Sequence, residues 1–289
     1  MEAIKNSELV TKGNCVYHLN LSPEELGDNI ILVGDPNRVA HVSHNFDTLD
    51  VIKQNREIVT HTGTFNNKRV TAMSTGMGTD NIDIVVNELN ILANFNLKTK
   101  EPNPERKKLN IIRMGTCGAL QPEIPLGTFI VSQYSIGMDG LLNFYDVDDS
   151  IFESMLANSF SKAVDWGHLL PAVYACKASD ELLKRCGTEF YRGITLTAPG
   201  FYGPQWRNVG LPVKYPEIFT KLQNFSYSRY KITNMEMETS ALYGLGQALG
   251  HNTLTICIAI ANRTTGEFID SYFKPIRKLA EKVLTLICK

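Results

Sequence analysis

Short apolar runs that stop on glycine or a small polar group recur along this chain, and that punctuation restricts it to few folds. Residues 29–33 run into Gly34-Asp35-Pro36-Asn37-Arg38, and residues 70–74 into Thr75-Gly76-Met77-Gly78-Thr79-Asp80. Residues 110–113 run into Met114-Gly115-Thr116-Cys117-Gly118, and residues 253–261 into Asn262-Arg263. Further strand-like runs cover 128–133 and 193–197. Ile82, Val85, Val86, Leu89 and Leu92 repeat with helical period, as do Met237, Ala241, Leu245 and Leu249, with Gly250 placed to stop the second helix. Strands alternating with helices predict an α/β chain with a largely parallel central sheet. Ligands of such sheets sit at the carboxyl ends of the strands, so the polar residues after each run are predicted to converge on one site.

No repeat or linker divides the 289 residues, which predicts one domain over 1–289. Residues 1–28 read as polar and irregular, 97–108 as an exposed, proline-bearing loop, and 141–165 as a surface excursion or short helices. With 29 basic against 30 acidic residues the net charge is −1, so nothing marks the whole protein for nucleic acid or membrane. Any anion must then be held by local arginines. The six cysteines show no metal-ligand spacing, and Cys257 and Cys288 lie in apolar runs, which predicts reduced thiols and an intracellular, cytoplasmic setting. The polar start Met1-Glu2-Ala3-Ile4-Lys5 does not read as a leader, and no apolar stretch reaches membrane length.

Three groups of residues carry chemistry. Arg38 and Arg113 each lie beside glycines at a strand end, where backbone N–H groups and a bidentate guanidinium suit a phosphate. Arg56, in Asn55-Arg56-Glu57, reads by itself as a surface ion pair. Gly76-Met77-Gly78 carries Asn81 where a dinucleotide fingerprint needs its third glycine, and no GxxxxGK[ST] loop is present. In Asn234-Met235-Glu236-Met237-Glu238-Thr239, two carboxylates sit at a predicted helix start. One can enter a pocket and hold sugar hydroxyls while the other braces backbone; both can equally serve the helix dipole. In Phe201-Tyr202-Gly203-Pro204-Gln205-Trp206-Arg207 a carboxamide and a guanidinium match the two carbonyls and one N–H of a pyrimidine edge, with Phe201 free to pack on a ring; alone, the stretch reads as an aromatic surface loop. His18 by itself reads as structural.

In this order, over roughly 16–265, these stretches resemble the nucleoside phosphorylase-I family, and within it the uridine-acting members. The motifs that carry the resemblance are Gly34-Asp35-Pro36-x-Arg38, Ser74-Thr75-Gly76-Met77-Gly78, Arg113 to Gly118, Phe201 to Arg207, Asn234 to Thr239 and Asn262-Arg263-Thr264. The resemblance implies a single-domain α/β/α sandwich with a mixed central sheet. It implies that Gly34, Arg38, Arg113 and Thr116 bind phosphate, and that Arg56 reaches the phosphate of a neighbouring subunit across a dimer interface. It implies that His18, also from the neighbour, together with Met237, Glu238 and Glu236, surrounds the ribose. Phe201, Gln205 and Arg207 would recognise uracil, Ile260 and Ala261 would form a wall, and Arg263 would support the loop.

The activity so implied is reversible phosphorolysis of uridine, or of other pyrimidine nucleosides, to uracil and ribose 1-phosphate. Arg207, Gln205, Glu238 and Arg113 would carry the chemistry. Inorganic phosphate is the co-substrate and no cofactor or metal is implied; Glu57 and Ser74 match positions that hold a monovalent cation between subunits in some relatives. The partners implied are nucleoside, phosphate and further copies of the chain, in a dimer or a hexamer of dimers with shared sites. Purine-acting members carry an Asp after the strand matching 253–261, and this chain has Ala261-Asn262-Arg263 there. The alternatives are a purine nucleoside phosphorylase or nucleosidase on the same fold, or a catalytically silent nucleoside-binding protein. Four features depart from the family pattern: Cys117 in place of a hydroxyl residue, the order Gly203-Pro204, the approach Thr197-Ala198-Pro199-Gly200, and an apparent insertion at 97–108.

Overall fold

The computed structural model describes residues 4, 5 and 7–289, so the start at Met1-Glu2-Ala3 lies outside the described residues. Among these residues eleven strands form the central sheet: β1 Asn29–Val33, β2 Thr48–Asn55, β3 Ile58–Phe65, β4 Lys68–Ser74, β5 Asn110–Ala119, β6 Phe129–Gly137, β7 Tyr174–Lys177, β8 Tyr191–Thr197, β9 Ser226–Tyr227, β10 Tyr230–Glu236 and β11 Asn252–Asn262. Their spatial order is β9-β10-β8-β6-β11-β5-β1-β4-β3-β2, with β7 paired to β6. Strands β5 and β11 are apolar and buried along most of their length, as strands covered on both faces must be. The outermost strand β2 is largely exposed and polar, which protects an edge from pairing with another chain.

The alternation of runs predicted a largely parallel sheet; the sheet is mixed. β4, β1, β5 and β11 are parallel neighbours, as are β6, β8 and β10. The β2–β3–β4 meander, the β6–β11 pair and the β9–β10 hairpin are antiparallel. The meander follows from turn chemistry. Asn66 and Asn67 both take positive φ (49° and 59°) between Phe65 and Lys68, the geometry of a two-residue hairpin that asparagine tolerates. In addition β10 pairs antiparallel with β5 through Asn234 with Ala119 and Met235 with Gly118, closing β5, β11, β6, β8 and β10 into a ring.

Among the described residues, seven α-helices cover the sheet: α1 Asn37–Ser43, α2 Thr79–Asn94, α3 Ser154–Val164, α4 Asp180–Arg185, α5 Glu217–Asn224, α6 Thr239–Ala248 and α7 Phe273–Ile287. α2 packs on α6, α1 and α4 on α7, and α3 on α5. Ile82, Val85, Val86, Leu89 and Leu92 of α2 are all buried, as their period predicts, and so are Ala241 and Leu245 of α6. Met237 precedes α6 and is half-buried, because the chain is still leaving β10 there. The 97–108 segment is mostly exposed, but its start is tied down by a short ladder between Phe95–Asn96 and Glu101–Pro102. Among the described residues no helix is long and apolar enough to cross a membrane.

Candidate active site

The predicted break after Arg113 is absent: β5 continues through Met114-Gly115-Thr116-Cys117-Gly118 to Ala119. Its glycines make room rather than turn the chain. A Cβ on Gly115 would collide with Arg113 Nη1 and lie 2.9 Å from Cys257 Sγ, so the Arg113 side chain folds over space that any larger residue would force it to give up. Arg113 is 4% exposed. Its Nη2 donates to Glu238 Oε2, and its Nη1 lies 3.2 Å from Glu236 Oε2 and 3.6 Å from Cys257 Sγ. Burial alone would lower the Arg113 pKa, but Glu238 and Glu236 outweigh it and hold the group above its ordinary range. Arg113 Nε is buried without a partner among the described residues.

The two carboxylates do not open a helix together. Glu236 is the last residue of β10, and Glu238 occupies the cap position before α6. Because β10 runs antiparallel to β5, its end returns alongside β5 toward Arg113. Glu236 accepts from the Thr197 hydroxyl (2.7 Å) and from the backbone N–H groups of Glu238 (3.0 Å) and Thr239 (3.0 Å). It braces the turn between β10 and α6. Burial raises its pKa, opposed by Arg113 and reinforced by the charge of Glu238. Glu238 also accepts from the Gly78 N–H at 2.9 Å, joining β10 to the glycine loop after β4. That loop needs its glycines: Gly76 and Gly78 take φ of 73° and 99°. Gly76 N–H donates to Gly34 O at 3.0 Å, bringing the first motif to the same place.

Arg38 stands in the first turn of α1. Its Nη2 donates to the Tyr272 hydroxyl at 3.1 Å, its guanidinium lies 5.1 Å from the centre of that ring, and its Nε is buried without a partner among the described residues. Thr116 is half-buried on β5. Ser74 Oγ donates to Glu57 O and accepts from Val59 N–H, both at 2.7 Å.

A second cluster forms around the aromatic loop. A short 3-10 turn, Gly203–Gln205, is followed by Trp206 in the left-handed region (φ 54°), and Arg207 N–H closes back on Tyr202 O at 2.9 Å. The Arg207 guanidinium stacks 4.0 Å from the centre of the half-exposed Phe201 ring. Gln205 is 4% exposed, and its carboxamide makes no hydrogen bond among the described residues. Its backbone carbonyl accepts from both Nη atoms of Arg263 at 3.2 Å. Arg263 is tied to β5 by its own N–H, which donates to Ala119 O at 2.8 Å. Burial, then the charge of Arg207, lowers the Arg263 pKa to about 10. Ile260 and Ala261 are half-buried at the end of β11, Ala261 paired with Gly118.

His18 and Arg56 form a third cluster. His18 Nδ1 lies 2.6 Å from Glu88 Oε1, the Asn55 carboxamide donates to His18 O at 2.8 Å, and Arg56 lies over the Tyr17 ring at 5.8 Å. Arg56 sits at the exposed β2–β3 turn with φ 54°. Among the described residues, neither side chain has a hydrogen bond or ion pair to the other two clusters. Sequence reading gave no site role to Tyr272, Cys257, Gly78 or Thr197, although the last three stand in stretches it had singled out for other reasons.

A mixed sheet closing on itself, with a buried arginine–carboxylate cluster beside glycine loops, defines an α/β scaffold with one polar centre. The chain belongs to the Phosphorylase superfamily, whose family model matches residues 28–288. It is 26% identical over 279 residues to the uridine phosphorylase of Thermococcus kodakarensis, covering 96% of this chain and 89% of that one. It is 28% identical over 277 residues to a DeoD-type purine nucleoside phosphorylase of Colwellia psychrerythraea, covering 92% of this chain and 98% of the relative. The crystal structure of a Trypanosoma brucei nucleoside phosphorylase, which shows uridine phosphorylase activity, superposes with a TM-score of 0.82 at 28% identity, covering 96% of this chain and 98% of that one.

Proposed function

We propose that this protein catalyses the reversible phosphorolysis of uridine to uracil and ribose 1-phosphate, as a pentosyltransferase. The observation that carries the choice of base is the place of Asn262. Its Nδ2 donates to Gln121 O and Ile124 O, and its Oδ1 accepts from Thr264 and Thr265 N–H, so the position near the purine-type acid is consumed by backbone. Its neighbour Arg263 braces Gln205, whose free carboxamide and the nearby Arg207 present the donors and acceptor that a uracil edge needs. The similarity to both a uridine and a purine phosphorylase supports the reaction; the loop chemistry favours the pyrimidine.

In this reading phosphate lies against Gly34, Arg38, Arg113 and Thr116 and attacks C1′ as the C1′–N1 bond lengthens. Glu238 and Met237 orient the ribose, and Arg207 and Gln205 stabilise charge developing on the leaving uracil. His18 and Arg56 serve the neighbouring subunit's site in a homo-oligomer built from dimers, which is consistent with their separation from the other clusters. The setting is cytoplasmic nucleoside salvage, consistent with cysteines that are all free. The test is a phosphate-dependent assay across uridine, thymidine, inosine and adenosine. Uracil and ribose 1-phosphate released only with phosphate support the reading; turnover of inosine alone, or release without phosphate, rejects it.

A further inference from the structure

Behind the loop that carries Gln205 and Arg207 lies a cavity of about 430 Å³. Its walls include both tryptophans of the chain, Trp166 and Trp206, whose rings meet edge to face at 6.2 Å. Pro204 and Pro212 add rigid apolar surface. Such walls lose little freedom when a ligand enters, and the volume lies within the range of small-molecule sites. Two cations, Arg207 and Lys214, stand in the lining, and among the described residues no carboxylate does. Arg207 Nε is buried with no partner among the described residues, an unmet donor beside an apolar cavity.

Trp206 links this cavity to the loop. It holds a left-handed conformation (φ 54°) that a bulky residue adopts only under constraint, and its chain neighbours are Gln205 and Arg207. A body that fills the cavity presses on Trp206 and Arg207 together. We propose that this cavity binds a small planar aromatic anion, and that its occupancy is felt by the loop that recognises the base. The aromatic and proline walls select the ring, and Arg207 and Lys214 select the negative charge.

The probe is anilinonaphthalene sulfonate, an aromatic anion whose absorption overlaps tryptophan emission. Titrated into the intact protein, it quenches the fluorescence of Trp166 and Trp206 saturably, at one site per chain, and saturating uracil does not displace it. Val213→Phe, which fills the cavity from its wall, weakens binding at least about tenfold. Lys214→Met weakens the sulfonate but not neutral anilinonaphthalene. Competition by uracil overturns a separate site, and unchanged affinity in Val213→Phe overturns the location. Should Val213→Phe fail to fold, fluorine NMR of the wild-type chain labelled with fluorotryptophan decides: two resonances moving with one midpoint support the site, and one or none moving rejects it. Saturating probe also shifts the Kd of uracil at least about threefold, and uracil shifts the Kd of the probe by the same factor, because coupling between sites is reciprocal; an unchanged Kd removes the coupling. Binding is read without turnover, so a chain inactive on uridine still reports it.

Discussion

Arg113 and Glu238 neutralise one another at the centre of the site: the guanidinium Nη2 donates to Oε2, and the two side chains are 5% and 4% exposed. The pair joins the middle of β5 to the cap of α6. In the proposed reading, a phosphate entering beside Arg113 would offer that cation a third anion after Glu238 and Glu236, and every bond it took would free part of Glu238 to accept a ribose hydroxyl. Phosphate and sugar binding would then be linked through one ion pair.

Arg113→Ala leaves Glu236 and Glu238 buried without their cation. Breaking a buried pair in this way costs about 3–5 kcal/mol. Urea unfolding of the variant should show a loss of that size together with abolished phosphorolysis; a loss below about 1 kcal/mol would mean that water already screens the pair.

Gly115→Ala places a methyl group against Arg113 Nη1 and 2.9 Å from Cys257 Sγ. Overpacking of this kind costs about 1–3 kcal/mol and moves the guanidinium. Steady-state kinetics should show KM for phosphate rising about tenfold, equivalent to ~1.4 kcal/mol, with a smaller change for the nucleoside. Equal effects on both substrates would contradict a phosphate role for Arg113.

Arg207→Ala removes the guanidinium stacked on Phe201 and should lower kcat/KM for uridine by more than about tenfold, ~1.4 kcal/mol for each factor of ten. Arg263→Met, which strips both donors from the Gln205 carbonyl, should give a milder loss of the same kind. Near-normal turnover in Arg207→Ala would exclude that residue from the chemistry.

His251 is buried, accepts from Leu109 N–H at 3.2 Å, and has its Nε2 closed off without a partner among the described residues. Burial, then the charges of Arg106 and Lys108, lowers its pKa from 6.5 to about 4. The unfolded chain therefore takes up this proton more readily than the folded one. The contribution of His251 is complete above pH 6.5 and is lost as pH falls toward 4, with a slope of at most about 1.4 kcal/mol per pH unit. Unfolding free energies at a series of pH values should fall less steeply in His251→Gln; an identical acid slope would place the titration elsewhere.

Strong periods made α2, β1, β5 and β11 legible, because burial on one helix face or on both sheet faces leaves a repeating pattern. Strand β2, Thr-Leu-Asp-Val-Ile-Lys-Gln-Asn, is an exposed edge and carries no such pattern; the signal for its meander was Asn66-Asn67, a turn that a search for strand–helix alternation passes over. The motifs of the site were legible as local runs. What they touch was not: the return of β10 alongside β5 and the hold of Tyr272 on Arg38 join residues far apart in sequence. For the same reason Glu236 and Glu238 looked interchangeable two positions apart, whereas one ends a strand and the other begins a helix.

Gln205 hangs from β5 by its carbonyl, through Arg263, and not by its side chain. A carbonyl is common to every amino acid. Replacement of residue 205 by another side chain would keep the tether, so, if the proposed reading holds, new nucleobase tastes can be tried at this position without unpicking the strands beneath.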